Sequence, residues 1–378
     1  MILLLTALLW LALISLLVGL VWLAYRRPPT VLLSRTLPAS AFSAGRIPLT
    51  VQVQIFNRLP VRVLIEDDPP RTVVADTVPV LAGWVQGEAT HQVQTTLTLN
   101  RRGVFEWEGA TLRWADPLGL FWRSLPLAVP TRLEVYPGTH GLLLPELLRP
   151  LLSEGAWSRT HGLEDSISLR GVRGYVPGDP PGRVHWRLTA RTGSLTVREP
   201  ERTAASSVTV YLDLSAGGSV YLESAVRLAA SLVQESFELD LPIAVATDAG
   251  ATPTGRTPEA MRAALLRLAQ AQLAQAGSDQ SPPTIPPGRA GGNLIILTAR
   301  AGSDLIHQAM RARATASRVA LIAIPDGFYL EPGEKPRRQW VAAPDSIREL
   351  ERQAGALAGV GVLVFVLRGN QSVLQLGS

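Results

Sequence analysis

The 378-residue chain has no cysteine. That excludes disulfides, thiolate nucleophiles, zinc ribbons and cysteine-ligated iron–sulfur clusters. Lysine is almost as scarce. Lys335 is the single lysine among 36 basic residues, and it follows Glu334. A Walker A phosphate loop needs a lysine after its glycines, so none is present, and Schiff-base chemistry has little to work with. Charged residues make up 18% of the chain, below the usual ~25%. Hydrophobic residues make up 47%, a share that fits a membrane-attached chain or one rich in buried strands. The length predicts two or three domains.

The longest uncharged stretch comes first. Ile2 to Tyr25 is mostly Leu, Val, Ile, Ala and Trp, and about 20 such residues span a bilayer as a helix. Trp22 and Tyr25 fall near its end, where amphipathic rings suit the headgroup zone. Arg26 and Arg27 follow at once, Arg35 and Arg46 soon after, and no Lys or Arg precedes the run. Positive flanks stay on the cytoplasmic side, so the reading is a single-pass membrane anchor with a cytoplasmic body. A cleaved signal peptide is the competing reading; it calls for a charged n-region, a shorter apolar run and a small-residue cleavage site. Pro28 and Pro29 end the helix, because proline lacks the N–H donor and clashes with the preceding turn.

Period-two patterning then takes over. Leu49 to Phe56 alternates apolar and polar residues, as does His91 to Leu99; both suit strands with one buried face. Shorter β-type runs occur at Val61–Ile65, Gly103–Trp107, Ala110–Trp114 and Thr131–Tyr136, separated by turn-like clusters such as Asn57-Arg58-Leu59-Pro60. About seven strands in roughly 105 residues predict an immunoglobulin-like sandwich.

The last third alternates strand and helix. Ser207 to Leu214 reads as a buried strand ending in an acid, Asp213, and Tyr221–Leu239 has helical spacing. Strands are predicted at Leu241–Ala246, Asn293–Thr298, Arg318–Pro325 and Gly359–Leu367, with helices at Pro258–Ala276, Ser303–Ala316 and Asp345–Ala354. This order predicts a parallel sheet with helices on both faces. Ligands of such sheets sit outside the carboxyl ends of the strands, where Asp213 and Thr298 would lie. The predicted organisation is a transmembrane anchor (1–27), a β module (28–140), a connecting segment (141–206) and an α/β domain (207–378).

The connecting segment contains Arg173, Tyr175, Gly178, Asp179, Trp186, Thr189, Ala190 and Arg191, all within 20 residues. In that spacing they closely resemble the signature of the domain-of-unknown-function 58 family. Gly182 stands where the middle arginine of that signature belongs, with Arg183 one place later, and Val184 replaces the usual Ile. Asn100 to Phe105, Asp116 to Phe121 and Val135-Tyr136-Pro137 also resemble stretches of the family. The resemblance implies a von Willebrand factor A-like C-terminal domain and a bacterial protein working with a MoxR-type AAA+ ATPase. It also allows contact with other von Willebrand factor A-domain proteins. Family members usually begin with a two-helix membrane hairpin, whereas this sequence shows one apolar run.

Metal-binding von Willebrand factor A domains carry D-x-S-x-S after the first strand, where an acid and two hydroxyls can hold Mg²⁺ through oxygen. Here Asp213 and Ser215 fit the pattern, but Gly217 occupies the second serine position. The expectation is a degenerate site, with no metal or other cofactor.

Arg170, Arg173, Arg183, Arg187, Arg191 and Arg198 cluster around Trp186. Two uses are open: gripping an anionic partner through guanidinium contacts, or a structural network with Trp186 as apolar anchor, which is the preferred reading. No aromatic stacking platform or recognition helix accompanies the charges, so nucleic acid is not an expected partner. Asp213 to Gly217 lacks the first glycine of G-x-S-x-G, and the five histidines show no H-E-x-x-H spacing. The sequence therefore reads as a non-catalytic, membrane-anchored adaptor or scaffold. The alternative is a metal-dependent enzyme or adhesion protein using the crevice near Asp213.

Overall fold

The computed structural model describes residues 2–67, 69–70, 72–138, 164–177, 184–202, 207–273, 284–285, 292–324 and 345–366. Gly178, Asp179, Gly182 and Arg183 of the signature lie outside the described residues. The chain divides into two compact units, Met1–Tyr136 and Pro137–Ser378.

The first unit opens with helix α1 (Ile2–Ala24). Leu3–Ala24 is long and apolar enough to cross a membrane, and none of it is buried. Length and composition of this kind fit a membrane anchor and a signal sequence alike.

Seven strands follow: β1 (Thr30–Thr36), β2 (Ser40–Phe42), β3 (Arg46–Glu66), β4 (Val73–Ala75), β5 (Val80–Leu99), β6 (Gly103–Ala115) and β7 (Arg123–Tyr136). Two of them are much longer than the sequence predicts. β3 pairs antiparallel with β5 from Arg46↔Thr98 to Glu66↔Val80, with one register shift between Asn57 and Val61. The Asn57–Pro60 cluster is therefore a bulge within a continuous ribbon, not a turn between strands. Asn57 satisfies itself locally, its Nδ2 donating to the Leu59 carbonyl at 2.8 Å. Opposite it, Gly87 takes a φ of 76°, which only glycine adopts cheaply. Before the bulge the free edge of β3 carries β1, and after it β6. The ribbon thus serves both halves of the unit. Leu49, Val51, Val53 and Ile55 point inward at every second position and pack with Leu97, Leu112 and Leu133.

Charge is also buried in this unit. Arg35 on β1 and Asp67 are 1% and 2% exposed and meet at 2.5 Å. Arg35 also donates to the Thr131 hydroxyl at 2.8 Å and to the Val129 carbonyl, and lies 5.3 Å from the Trp107 ring centre. An isolated buried charge is costly; this network satisfies it.

In the second unit, β8 (Glu164–Gly174) and β9 (Thr196–Arg202) form an antiparallel pair. Between them lies the seven-residue helix α2 (Trp186–Thr192), ended by Gly193 at φ 71°. The sheet proper comprises β10 (Val208–Leu212), β11 (Ile243–Thr247), β12 (Gly250–Ala251), β13 (Asn293–Thr298), β14 (Arg318–Ala323) and β15 (Val362–Val366), in the order β12-β11-β10-β13-β14-β15. All neighbours are parallel except the edge pair β11–β12. Continuous burial explains the unbroken apolar runs: every residue of β11 and β13 is buried, as expected of strands covered on both faces.

Four helices pack on the sheet: α3 (Ser219–Glu238), α4 (Pro258–Gln270), α5 (Ser303–Arg313) and α6 (Asp345–Gly359). α4 starts where Thr257 caps it, its hydroxyl accepting from the Ala260 N–H at 3.3 Å, and Pro258 takes the first turn without losing a needed donor. It stops at Gln270, short of the Ala276 that composition suggests, because Ala271 is extended at ψ 127°.

Candidate functional site at the carboxyl edge of the parallel sheet

Strand order runs outward from β10 in both directions, to β11 on one side and β13 on the other. The crevice beyond the carboxyl ends of β10 and β13 is therefore the topological switch point, where open α/β sheets bind ligands. Asp213 follows β10 directly and Thr298 ends β13.

The two residues meet there. Asp213 is 1% exposed. Its Oδ1 accepts from the Ser215 amide at 3.0 Å and the Ser215 hydroxyl at 2.6 Å, and its Oδ2 from the Thr298 hydroxyl at 2.6 Å. The Thr298 oxygen also lies 2.8 Å from the Arg300 carbonyl. A hydroxyl has one proton to give, and the carboxylate is the stronger acceptor.

Tyr221, fully buried on the first turn of α3, places its hydroxyl 2.6 Å from the Asp213 carbonyl and 3.1 Å from the Leu297 carbonyl. Its single proton thus sits between the ends of β10 and β13. The same ring decides the fate of position 217. Gly217 has a φ of 118°, and a Cβ built there would lie 2.4 Å from Tyr221 Cδ1. A second serine of a D-x-S-x-S loop cannot be accommodated on this backbone. The side-chain oxygens gathered here are those of Asp213, Ser215 and Thr298, and both Asp213 oxygens are already engaged by the two hydroxyls. Among the described residues, no group of three or more His, Asp or Glu side chains could hold a metal. With position 217 closed to a serine, these residues do not fit a complete D-x-S-x-S metal site.

Beside this cluster lies a cavity of about 350 Å³ whose lining includes Leu214, Thr247, Asp248, Arg267 and Gln270. Its frame is fixed by backbone capture: Arg267 Nη1 donates to the Ala249 carbonyl at 3.1 Å, and the Thr247 hydroxyl accepts from the Ala249 amide at 3.3 Å. Tyr211, fully buried on β10, donates to Asp248 Oδ1 at 2.7 Å. Burial first, then that hydrogen bond and the charges of Asp248 and Asp213, push the Tyr211 pKa far above its ordinary 10.0. Tyr211 is a fixed donor, not a base. Asp248 escaped the sequence reading: it directly follows the buried strand β11, but Thr247 separates it from the apolar run.

The signature residues occupy the β8–α2–β9 segment. Thr189 ties α2 to β9, its hydroxyl accepting from the Thr196 amide at 3.0 Å. The Tyr175 amide donates to the Leu195 carbonyl at 2.9 Å. His185 caps α2, its Nδ1 accepting from the Leu188 amide at 3.2 Å. Ala190 and Arg191 are exposed, and Arg173 donates to the Gly174 carbonyl at 3.1 Å. Trp186, expected as an apolar anchor, is instead 65% exposed: it starts a short helix none of whose residues is buried.

These features define a multi-domain protein with an apolar N-terminal helix, a β unit and a mixed α/β unit. A family model described as "Protein of unknown function DUF58" matches residues 171–282, a stretch that includes Trp186, Asp213 and Asp248. None of the curated proteins matches the chain. Among solved structures, a protein of unknown function from Porphyromonas gingivalis W83 is similar at 16% identity and a TM-score of 0.24, over 30% of this chain and 51% of that one. The chain thus spans about half the length of that relative. The ApaA protein of Bordetella pertussis is similar at 14% identity and a TM-score of 0.20, over 29% of this chain and 96% of that one. Likenesses at such TM-scores carry no argument about what this chain does.

Proposed function

We propose that the chain is a membrane-anchored, non-catalytic adaptor that works with a MoxR-type AAA+ ATPase in assembling or activating other protein complexes. In this reading α1 is a single-pass anchor rather than a signal sequence, and the body lies on the cytoplasmic side. The β unit is an immunoglobulin-like spacer, and the α/β unit is a von Willebrand factor A-like domain. The observation that carries the reading is the Asp213–Ser215–Thr298 cluster at the switch point with Gly217 and Tyr221 in the place of a third oxygen ligand. In this reading the crevice is a von Willebrand factor A-type site that has lost one of its oxygen ligands. Among the described residues there, the Ser215 and Thr298 hydroxyls both donate to the Asp213 carboxylate, which leaves neither as a free nucleophile. Tyr211 stays protonated, which removes another candidate base.

The ATPase partnership rests on the family resemblance of the signature. A pull-down from detergent-solubilised membranes under ATP-trapping conditions tests it: recovery of a MoxR-type ATPase is expected, and repeated failure to recover any AAA+ ATPase overturns it. A reporter fused after Ser378 tests orientation, and periplasmic phosphatase activity would reverse the assigned topology.

A further inference from the structure

The end of the β unit that receives α1 has the composition of a membrane interface. Three contacts identify that end. The Tyr25 hydroxyl donates to the Pro60 carbonyl at 2.9 Å. Trp114 Nε1 donates to the Tyr25 carbonyl at 3.1 Å. The Arg123 guanidinium lies 5.1 Å from the Trp22 ring centre. The bulge of the β3–β5 ribbon, the end of β6 and the start of β7 therefore lie against the last turn of the apolar helix.

Phe56, Leu59, Trp84, Leu118, Leu120 and Trp122 are all exposed at this end, Leu118 the most at 76%. Large exposed apolar groups gathered in one place mark an interaction site. Arginines are interleaved with them. Arg62 lies over Trp84 at 5.4 Å and Arg113 over Trp122 at 5.7 Å, and Arg26, Arg27 and Arg58 are exposed. The carboxylate of Asp116 is buried inside the loop, while Glu88, paired across the ribbon with Phe56, is exposed. The balance of exposed charge is positive.

The loop that carries the two leucines is held in shape. Asp116 accepts from the Leu118 amide at 3.0 Å and the Phe121 amide at 2.8 Å. The Gly119 amide donates to the Asp116 carbonyl at 2.9 Å, and Gly119 turns the chain at φ 77°. Leu118 and Leu120 are thus presented on a preformed tip, and little ordering accompanies their burial. Tryptophan and arginine beside leucine are what a headgroup zone selects: rings at the boundary, guanidinium on phosphate oxygens, apolar tips below.

We infer that this collar is a second membrane contact: Leu118 and Leu120 enter the interface and the surrounding arginines hold anionic phospholipid headgroups. The β unit is then seated on the bilayer instead of hanging from α1. The inference rests on the reading of α1 as an anchor. A protein partner fits less well, because a bilayer already lies at this end of the unit wherever α1 spans.

The cysteine-free chain allows a direct test on the full-length protein. Single substitutions Leu118→Cys, Leu120→Cys, Val78→Cys and Leu13→Cys are each labelled with an environment-sensitive dye. Val78 is exposed just beyond the Glu66↔Val80 end of the ribbon, away from the bulge at Asn57–Val61, and Leu13 lies within α1. The protein is reconstituted into phosphatidylcholine vesicles with and without phosphatidylglycerol, doped with nitroxide lipids. Quenching at 118 and 120 by a headgroup-proximal nitroxide is expected to be at least about twice that at 78, and stronger with phosphatidylglycerol than without. If Leu13 is quenched by a mid-bilayer nitroxide while 118 and 120 match 78, the anchor stands and the collar is overturned. Quenching at 118 that ignores phosphatidylglycerol overturns the role given to the arginines. An unquenched Leu13 overturns the anchor and the collar together.

Discussion

Gly217 and Tyr221 determine each other: the ring fills the space a Cβ at 217 would need, 2.4 Å from its Cδ1, and the hydroxyl at its tip bridges the carbonyl ends of β10 and β13. Restoring the missing hydroxyl by Gly217→Ser therefore does not restore a metal site. Strain at positive φ costs about 1–3 kcal/mol, and the clash adds to it. Urea unfolding should show Gly217→Ser destabilised by at least about 2 kcal/mol. In a Tyr221→Ala background the same substitution should cost less, because the two residues are in contact.

Divalent metal should leave the melting temperature of the wild-type protein unchanged. Asp213→Ala should lower it with or without metal, since the hydroxyls of Ser215 and Thr298 lose their acceptor, at about 1–3 kcal/mol. Thermal shift assays with Mg²⁺ and Mn²⁺ check both points. A metal-dependent rise that vanishes in Asp213→Ala would sink the metal-free reading.

Arg35→Met strands the Asp67 carboxylate in the core of the β unit. Removing one partner of a buried pair costs about 3–5 kcal/mol. The double variant Arg35→Met/Asp67→Leu removes both charges and should recover most of that loss. A chemical denaturation series on the three variants separates pair disruption from a general intolerance of mutation.

High pH should weaken the α/β unit through Tyr211. Its folded pKa lies above the ordinary 10.0, so the folded state keeps a proton that the unfolded state loses. The contribution is fully present below pH 10 and declines as pH rises further, by at most about 1.4 kcal/mol per pH unit. Tyr211→Phe should flatten that part of the stability–pH curve. A slope unchanged by the substitution would assign the alkaline loss to another group.

Trp186→Ala should change stability by no more than about 0.5 kcal/mol, since the ring is largely in solvent. If the signature segment is where an ATPase docks, recovery of that ATPase should fall sharply in the same variant. Unchanged recovery would move the docking surface elsewhere.

Burial on both faces wrote the α/β unit into the sequence in plain form. Asn293–Thr298 is strand from end to end, and Asp213 and Thr298 converge as carboxyl-end residues should. Other features left weaker traces. The bulge at Asn57–Pro60 has the composition of a turn, yet the residues on either side pair with the same strand; only the partner's register reveals continuity. β8 and β9 are rich in arginine and glutamate, without the alternation of a half-buried strand. Asp248 was hidden because the apolar run before it stops at Ala246. The side reach of Tyr221 into the space of position 217 is a tertiary fact that no local pattern encodes.

The ribbon of β3 and β5 also has a kinetic meaning. Its shortest loop closure is at Glu66↔Val80, and the pairing runs from there through the bulge to Arg46↔Thr98. Each later pair joins residues farther apart in sequence, and β1 and β6 can dock only on the parts already formed. Pairing of this non-local kind is slow. During that interval the unfinished edges of β3 are open to other chains, so the order in which the unit folds bears on how readily it aggregates.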